Sequence, residues 1–336
     1  MVKKKLVLIS NEKIYKEKDK FYCDNLDLKI LPEKLNENFD IEYIGRKAKK
    51  QGGQNIDLLN IKIASNFVHF IYLIIKSFEK NSKYIVVSIT PYTFLACVIL
   101  FIFRKKTYLY LRSDGHEEWK YILGKWSVWI FHLMYLICTS ISEVIVCNKR
   151  LSKKKSHLIS ISRLDDSWFE NIKEASLEKI KFLYVGRMSP EKGIFDFLNL
   201  FNKINLDANL SIVGYSKDHT VSNDNVKFLG YFSKPDLLMK AYDENNITIL
   251  PSYTEGYPYV IDESLSRKRP VIIFEEISYV VNEKRGIFIA KRELNSLRTI
   301  VNYIIENYAK IQKEMDENKL PTKKSMIRQI SNIINN

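Results

Sequence analysis

Short apolar runs alternate with segments of helical spacing along the whole of this 336-residue chain. In the first half, residues 6–10 and 41–44 read as strands and residues 61–78 (IKIASNFVHFIYLIIKSF) as a helix. Residues 84–89 form a Val- and Ile-rich strand, broken by Pro91 before an apolar helix at 93–103. A strand at 107–112, a helix at 126–141 and a short strand at 144–147 follow. The charged stretch 150–180 reads as a connection. The second half repeats the scheme, with strands at 181–185, 211–213, 226–229, 247–250 and 271–274. Its helices fall at 193–204, 234–243, 259–266 and 294–308, and the tail from Thr322 is a final basic helix. Strands alternating with helices require a parallel sheet covered on both faces. Roughly 100–200 residues per domain makes two such domains the expectation. The boundaries are 1–160 and 161–320, with 321–336 as a basic helix or tail.

Composition narrows the field. With 46% hydrophobic and 27% charged residues the chain is neither disordered nor in need of a disulfide or metal staple. Eleven Gly and eight Pro exclude collagen-like and low-complexity folds, and no 20–50-residue period suggests a solenoid. Cys23, Cys97, Cys138 and Cys147 lack C-x-x-C spacing and read as small buried hydrophobes of a reducing compartment. The apolar run after MVKKK is too short for a signal-peptide core, so the expected location is cytoplasmic. The Gly52–Gly53 pair reads as a mobile loop.

Net charge is +14, and it is one-sided. Residues 1–160 hold 28 Lys+Arg against 15 Asp+Glu, whereas residues 161–336 hold 25 against 24. Such a field suits an anionic partner, whether a membrane face, a phosphorylated lipid or a nucleic acid, although it also serves solubility. Residues 84–103 are uncharged over a span that reaches membrane-crossing length, but Ser88, Thr90, Pro91 and Thr93 interrupt them, favouring a buried strand and helix. The uncharged helix from Trp126, with Trp129, Phe131 and Tyr135, resembles an interfacial face or a core helix.

Two stretches carry chemistry. In YVGRMSPEKG a strand runs into Gly186, which permits close ligand approach, and Arg187 and Lys192 precede a helix. Two cations at a helix N-terminus suit a diphosphate. In EGYPYVIDES, Glu255 stands in a loop, Pro258 fits a first helical turn and Glu263 lies on that helix. One carboxylate can grip vicinal ribose hydroxyls and the other can reach a transferred sugar. Two surface charges are the plainer reading of the pair.

Taken together, VGRMSPEKG, LSIVG, VKFLGYF, E-G-Y-P-x4-E and RPVIIF resemble the C-terminal lobe of a family four retaining glycosyltransferase, over about residues 180–310. The resemblance implies an α/β GT-B fold: two Rossmann-like doubly wound lobes facing across a cleft, with a C-terminal helix able to cross back to the N-terminal lobe. It implies that Arg187 and Lys192 neutralise the donor diphosphate, that Glu263 binds the ribose and that Glu255 contacts the donor sugar. Gly186 and the backbone at Gly256, Tyr257, Pro258 and Tyr259 would line the phosphate and sugar site, and Tyr231 and Phe232 would flank the base. The absence of D-x-D fits a metal-independent reaction with no cofactor beyond the nucleotide sugar. In the acceptor-binding N-terminal lobe, Arg112, Asp114 and His116 are candidates for acceptor or donor-sugar contact, or else form a capped turn with a surface His. The chain departs from the family pattern at FEEISYVVNEKRG, where a Gly-containing sugar loop is usual. It departs again after Ile9, where a Gly-rich turn is usual.

The implied activity is retaining transfer of a sugar from a nucleotide-diphosphate donor to a glycan or lipid-linked acceptor in surface polysaccharide synthesis, peripheral at the inner membrane face. A GT-B-type nucleotide-sugar epimerase is the alternative, but it leaves the basic first lobe unexplained. A nucleic-acid binder is disfavoured, since no recognition module is present, and no G-x-G-x-x-G supports an oxidoreductase.

Overall fold

The computed structural model describes residues 3–50, 53–152, 154–204, 206–214, 223–232 and 234–336. It divides into two compact units, Met1–Ser160 with Lys324–Asn336, and Ile161–Lys323. Gly52 lies outside the described residues.

Unit 1 contains β1 (Lys5–Glu17), β2 (Lys20–Cys23), α1 (Leu26–Leu35), β3 (Asp40–Lys47), β4 (Gln54–Ile56), β5 (Ile61–Ala64) and α2 (Phe67–Lys76). It continues with β6 (Lys83–Val87), α3 (Pro91–Ile102), β7 (Thr107–Leu111), α4 (Gly115–Leu123), α5 (Ser127–Ile141), β8 (Glu143–Val146) and β9 (Ser156–Leu158). The parallel core runs β5-β3-β1-β6-β7-β8-β9. β1 outruns that core. Its register shifts between Ile9 and Lys13, and its far half pairs antiparallel with β2, which pairs in turn with β4. Lys18 turns that hairpin at φ 52°.

Unit 2 contains β10 (Ile180–Val185), α6 (Ile194–Phe201), β11 (Ala208–Val213), β12 (Val226–Gly230), α7 (Pro235–Glu244) and β13 (Ile247–Leu250). Then come α8 (Tyr259–Ser266), β14 (Val271–Phe274), β15 (Ile287–Ala290), α9 (Leu294–Glu306) and α10 (Tyr308–Met315). Its strands are parallel in the order β12-β11-β10-β13-β14-β15. Numbered within the unit this is 3-2-1-4-5-6, the doubly wound order, with its reversal between β10 and β13. β10, β13 and β14 are buried among Phe197, Ile261, Leu265 and Val301, as strands covered on both faces must be.

Several elements differ from expectation. Residues 61–78 are not one helix: β5 occupies 61–64, and Asn66 caps α2 by accepting from the His69 N–H. The helix expected at 294–308 is α9, a further helix α10 follows it at Tyr308–Met315, and β15 adds a strand beside β14. The stretch 150–180 is more than a connection. Trp168 is buried against Tyr242, and Arg267 donates to the carbonyls of Trp168, Glu170 and Asn171. As expected, residues 84–103 are a strand and a helix, β6 followed by α3, whose start is built from a Thr90–Thr93 capping box with Pro91 in the first turn. No helix of the described residues is long and apolar enough to cross a membrane.

The last helix, α11 (Lys323–Asn335), returns the chain to unit 1. It buries Met326, Ile327, Ile330 and Ile334, while Gln329 accepts from the Ser160 N–H and Tyr108 donates to the Ile334 carbonyl. Removing a buried Ile side chain leaves a cavity. Ile330→Ala should therefore destabilise unit 1 by about 2–4 kcal/mol in urea unfolding. Arg328→Ala, on the exposed side of the same helix, should stay within about 0.5 kcal/mol of the unchanged chain.

Candidate nucleotide-sugar site

The candidate residues of unit 2 gather where β10 and β13 end. In doubly wound sheets the reversal point is where the loops after two adjacent strands part and leave a crevice. Here those loops are 186–193 and 251–258, and they are knitted together. The Tyr253 N–H donates to the Glu191 carbonyl at 3.0 Å, and the Tyr253 hydroxyl to Asp196 at 2.8 Å. Lys192 Nζ lies 2.7 Å from Glu255 Oε1. Gly193, at φ 62°, approaches so closely that an added Cβ would stand 2.0 Å from the Pro251 carbonyl oxygen. Gly214 ends β11 the same way, with the Gly186 carbonyl oxygen 1.8 Å from a built Cβ.

Glu255 is the best-anchored carboxylate of the site. Its side chain is 9% exposed, and Oε1 accepts from both Lys192 and Ser252, the latter at 2.6 Å. The Tyr279 hydroxyl brackets its backbone, accepting from the Glu255 N–H at 3.0 Å and donating to its carbonyl at 2.6 Å. Arg187 contrasts with this. Its side chain is 73% exposed and meets Glu191 at 3.6 Å. Burial pushes the Glu191 carboxyl up, but hydrogen bonds from Ser189 and the backbone, with Arg187 and Lys192 nearby, hold it below the usual range. Tyr184, beneath Gly186, donates to the Arg187 carbonyl at 2.6 Å; burial, then Glu255 and Glu191, push its hydroxyl pKa up.

Glu263 lies on the buried face of α8 and accepts from the Tyr242 hydroxyl at 3.0 Å. Burial and the Glu263 charge hold that hydroxyl protonated. Tyr259, at the start of α8, carries the Arg163 guanidinium 4.1 Å from its ring centre. Tyr257 donates to Asp262 at 2.6 Å, and buried Asp262 pairs with Lys284 at 2.5 Å. Tyr231 is exposed just after β12, while Phe232 is half-buried against the small cluster that includes Trp168, Leu183 and Tyr242. The other candidates belong to unit 1. Arg112 pairs with Asp27 at 2.6 Å, and Asp114 caps α4 by accepting from the His116 N–H at 3.0 Å. His116 Nε2 faces His132 Nδ1 at 3.1 Å.

Sequence reasoning missed Ser252, Tyr242, Asp262, Tyr279 and Lys284. Tyr279 and Lys284 fall in FEEISYVVNEKRG, the stretch already marked by its departure from the family pattern. Among the described residues no group of three or more His, Cys, Asp or Glu side chains gathers as a metal-ligand set.

Residues 166–320 match the family Glycosyl transferases group 1. An uncharacterized glycosyltransferase of Haemophilus influenzae is 27% identical over 186 residues, 51% of this chain and 52% of that protein. The chain thus spans about half the length of the curated relative it matches. Among solved structures, Anabaena HepE in complex with UDP is similar at a TM-score of 0.72 and 13% identity, covering 99% of both chains. Sucrose-phosphate synthase from Thermosynechococcus elongatus is similar at 0.70 and 14%, covering 99% of this chain and 98% of that one. The lipopolysaccharide outer core galactosyltransferase WaaB gives 0.63 and 12%, covering 98% of this chain and 99% of that one. At such identities these likenesses speak for the fold, which is the α/β GT-B class of two Rossmann-like units.

The close approach at Gly193 has a measurable cost. Gly193→Ala imposes both a left-handed backbone on a Cβ and a clash with a carbonyl. Gly230, at φ 78° with nothing within 4 Å of its Cβ, imposes the first alone. Gly230→Ala should therefore destabilise unit 2 by about 1 kcal/mol and Gly193→Ala by more than twice that, read by denaturant unfolding.

Proposed function

We propose that this protein is a retaining, metal-independent glycosyltransferase working on the cytoplasmic side of the membrane. It moves a sugar from a nucleotide-diphosphate donor to a glycan or lipid-linked acceptor of a surface polysaccharide. The observation that carries this reading is the Lys192–Glu255 pair, held between the two loops at the sheet reversal and beside the start of α6. The family match over residues 166–320 supports transfer of a glycosyl group. The HepE complexes with UDP and UDP-glucose support a nucleotide-sugar donor, and WaaB supports a surface-glycan acceptor.

On this reading the chemistry follows from charge. The bond between the sugar's anomeric carbon and the phosphate oxygen breaks, and negative charge collects on the departing diphosphate. The acceptor hydroxyl forms the new bond to that carbon and gives its proton to an oxygen of the departing diphosphate. Fixed positive charge at the leaving group is then the largest catalytic contribution. Lys192 supplies it, oriented by Glu255; Arg187 adds a second cation from solvent. The backbone at Gly186 and at Gly256–Tyr259 would line the phosphates and sugar. Glu263, its rotamer held by Tyr242, would take the vicinal ribose hydroxyls. Tyr231 and Phe232 would flank the base.

A panel of nucleoside diphosphates and their sugars, added without metal, tests the reading by thermal shift. One nucleotide at about 100 times its Kd should stabilise unit 2 by about 2.7 kcal/mol, and Lys192→Ala should abolish the effect. With the matched donor and an acceptor, Lys192→Ala should lower kcat by about 10²–10³-fold. A flat response to every nucleotide would sink the donor site.

A further inference from the structure

In unit 1 a layer of helices turns apolar side chains outward: α2 packs on α3, α3 on α5 and α5 on α4. From Ser127 to Ile141 α5 carries no Lys, Arg, Asp or Glu, and its His132 is exposed. Its buried residues Phe131, Met134 and Cys138 face the unit, and the opposite stripe is Trp129, Leu133 and Leu136. Steps of four and three place these three on one helical face. Trp129 is 65% exposed, Trp126 just before the helix 62%, and Ile122 near the end of α4 76%. Val68 on α2 and Ile102 on α3 are exposed as well.

Scattered exposed apolar residues are ordinary, but a continuous stripe marks a covered surface. Charge identifies what covers it. Lys120 and Lys125 stand at the corner between α4 and α5. At the other end of α5, Lys154 donates to Ser140 at 2.5 Å. Glu117 is paired with Lys120 at 3.0 Å, while the exposed Glu118 stands one turn before Ile122 on the same helical face. Residues 161–336 balance at 25 Lys+Arg against 24 Asp+Glu, so the chain's excess positive charge lies in residues 1–160, the half that carries this stripe. An apolar stripe next to Trp126 and Trp129, with Lys125 and Lys154 at its two ends and in the basic half of the chain, fits headgroups and acyl chains together.

We propose that the α4–α5 face is a docking surface for an anionic lipid bilayer, with the axis of α5 in the membrane plane and Trp126 and Trp129 at headgroup depth. This goes beyond the donor-site reading and stands without it. It names the residues through which a lipid-linked acceptor would be met in two dimensions.

The test uses the full chain with vesicles of phosphatidylglycerol and phosphatidylcholine, against vesicles of phosphatidylcholine alone. The chain should sediment with the anionic vesicles at least ten-fold more tightly than with the neutral ones. Its tryptophan emission should shift to the blue and be quenched by lipids brominated in the acyl chain. Trp168, buried in unit 2, supplies only a constant background. Trp129→Ser with Leu133→Ser should weaken binding at least ten-fold while leaving circular dichroism unchanged, and Lys125→Glu with Lys154→Glu should weaken it in the anionic case alone. Absence of vesicle binding by the unaltered chain would overturn the proposal. So would binding that the serine variant leaves intact, or a dimer in light scattering that the serine variant splits. Should the serine variant fail to fold, unquenched emission of the unaltered chain on brominated vesicles would overturn it equally.

Discussion

A parallel sheet delivers every strand's carboxyl end to one edge, and this polarity decides where unit 2 can act. All six strands run the same way, and the order reverses between β10 and β13. At such a reversal the loops after two adjacent strands part and leave backbone groups for a ligand. The remaining features of the site serve that edge. Gly193 and Gly214 let loop backbones approach to distances that no Cβ tolerates. Lys192 and Glu255 then tie the loop after β10 to the loop after β13.

The buried charges of unit 2 do a second job, which is to hold α8 still. Arg267 and Arg269 are both buried, and Arg267 pairs with Asp243 at 2.6 Å. Arg269 donates to the carbonyls of Tyr242, Asn245 and Lys173. Removing one partner of such a set would cost several kcal/mol, because the other charge would remain out of water. Burial even pushes the Arg269 guanidinium pKa down, so its retention rests on this full set of acceptors. The same arginines fasten residues 168–173 against the C-terminal end of α8. Asp262 and Lys284 do the equivalent at its start, through Tyr257. The helix that carries Glu263 is therefore pinned at both ends.

What could be read from the sequence follows the physics of burial. Strands covered on both faces appear as short Val and Ile runs, so β6, β13 and β14 were visible almost to the residue. The far half of β1 was not. IYKEKDKFYC mixes Lys, Glu and aromatics because its hairpin faces solvent, and it carries no turn dipeptide, since Lys18 itself takes the left-handed position. β5 and α2 merged into one expected helix because IKIA and FVHF are both apolar, and only the Asn66 cap separates them. In the site, Glu255, Glu263, Arg187 and Lys192 were legible from spacing within two short stretches. Their supports were not. Tyr242 comes from α7 and Tyr279 from the turn after β14, and no local period connects Tyr242 to the Glu263 carboxylate or Tyr279 to the Glu255 backbone.

The two cations of the site are unequal, and the difference is one of solvent. A unit charge at about 4 Å interacts at about 1 kcal/mol in bulk water and about 4 kcal/mol at the effective dielectric of a protein surface. Arg187 extends into solvent, and its 3.6 Å contact with Glu191 is of the weak kind that salt screens. Lys192 is mostly enclosed, fixed at 2.7 Å by a carboxylate that Ser252 also holds. An enclosed ammonium needs no reorganisation when charge develops beside it, whereas an exposed guanidinium must first leave its water. On the transferase reading, Lys192 therefore acts on the departing diphosphate, while Arg187 draws the anionic donor toward the edge where β10 and β13 part.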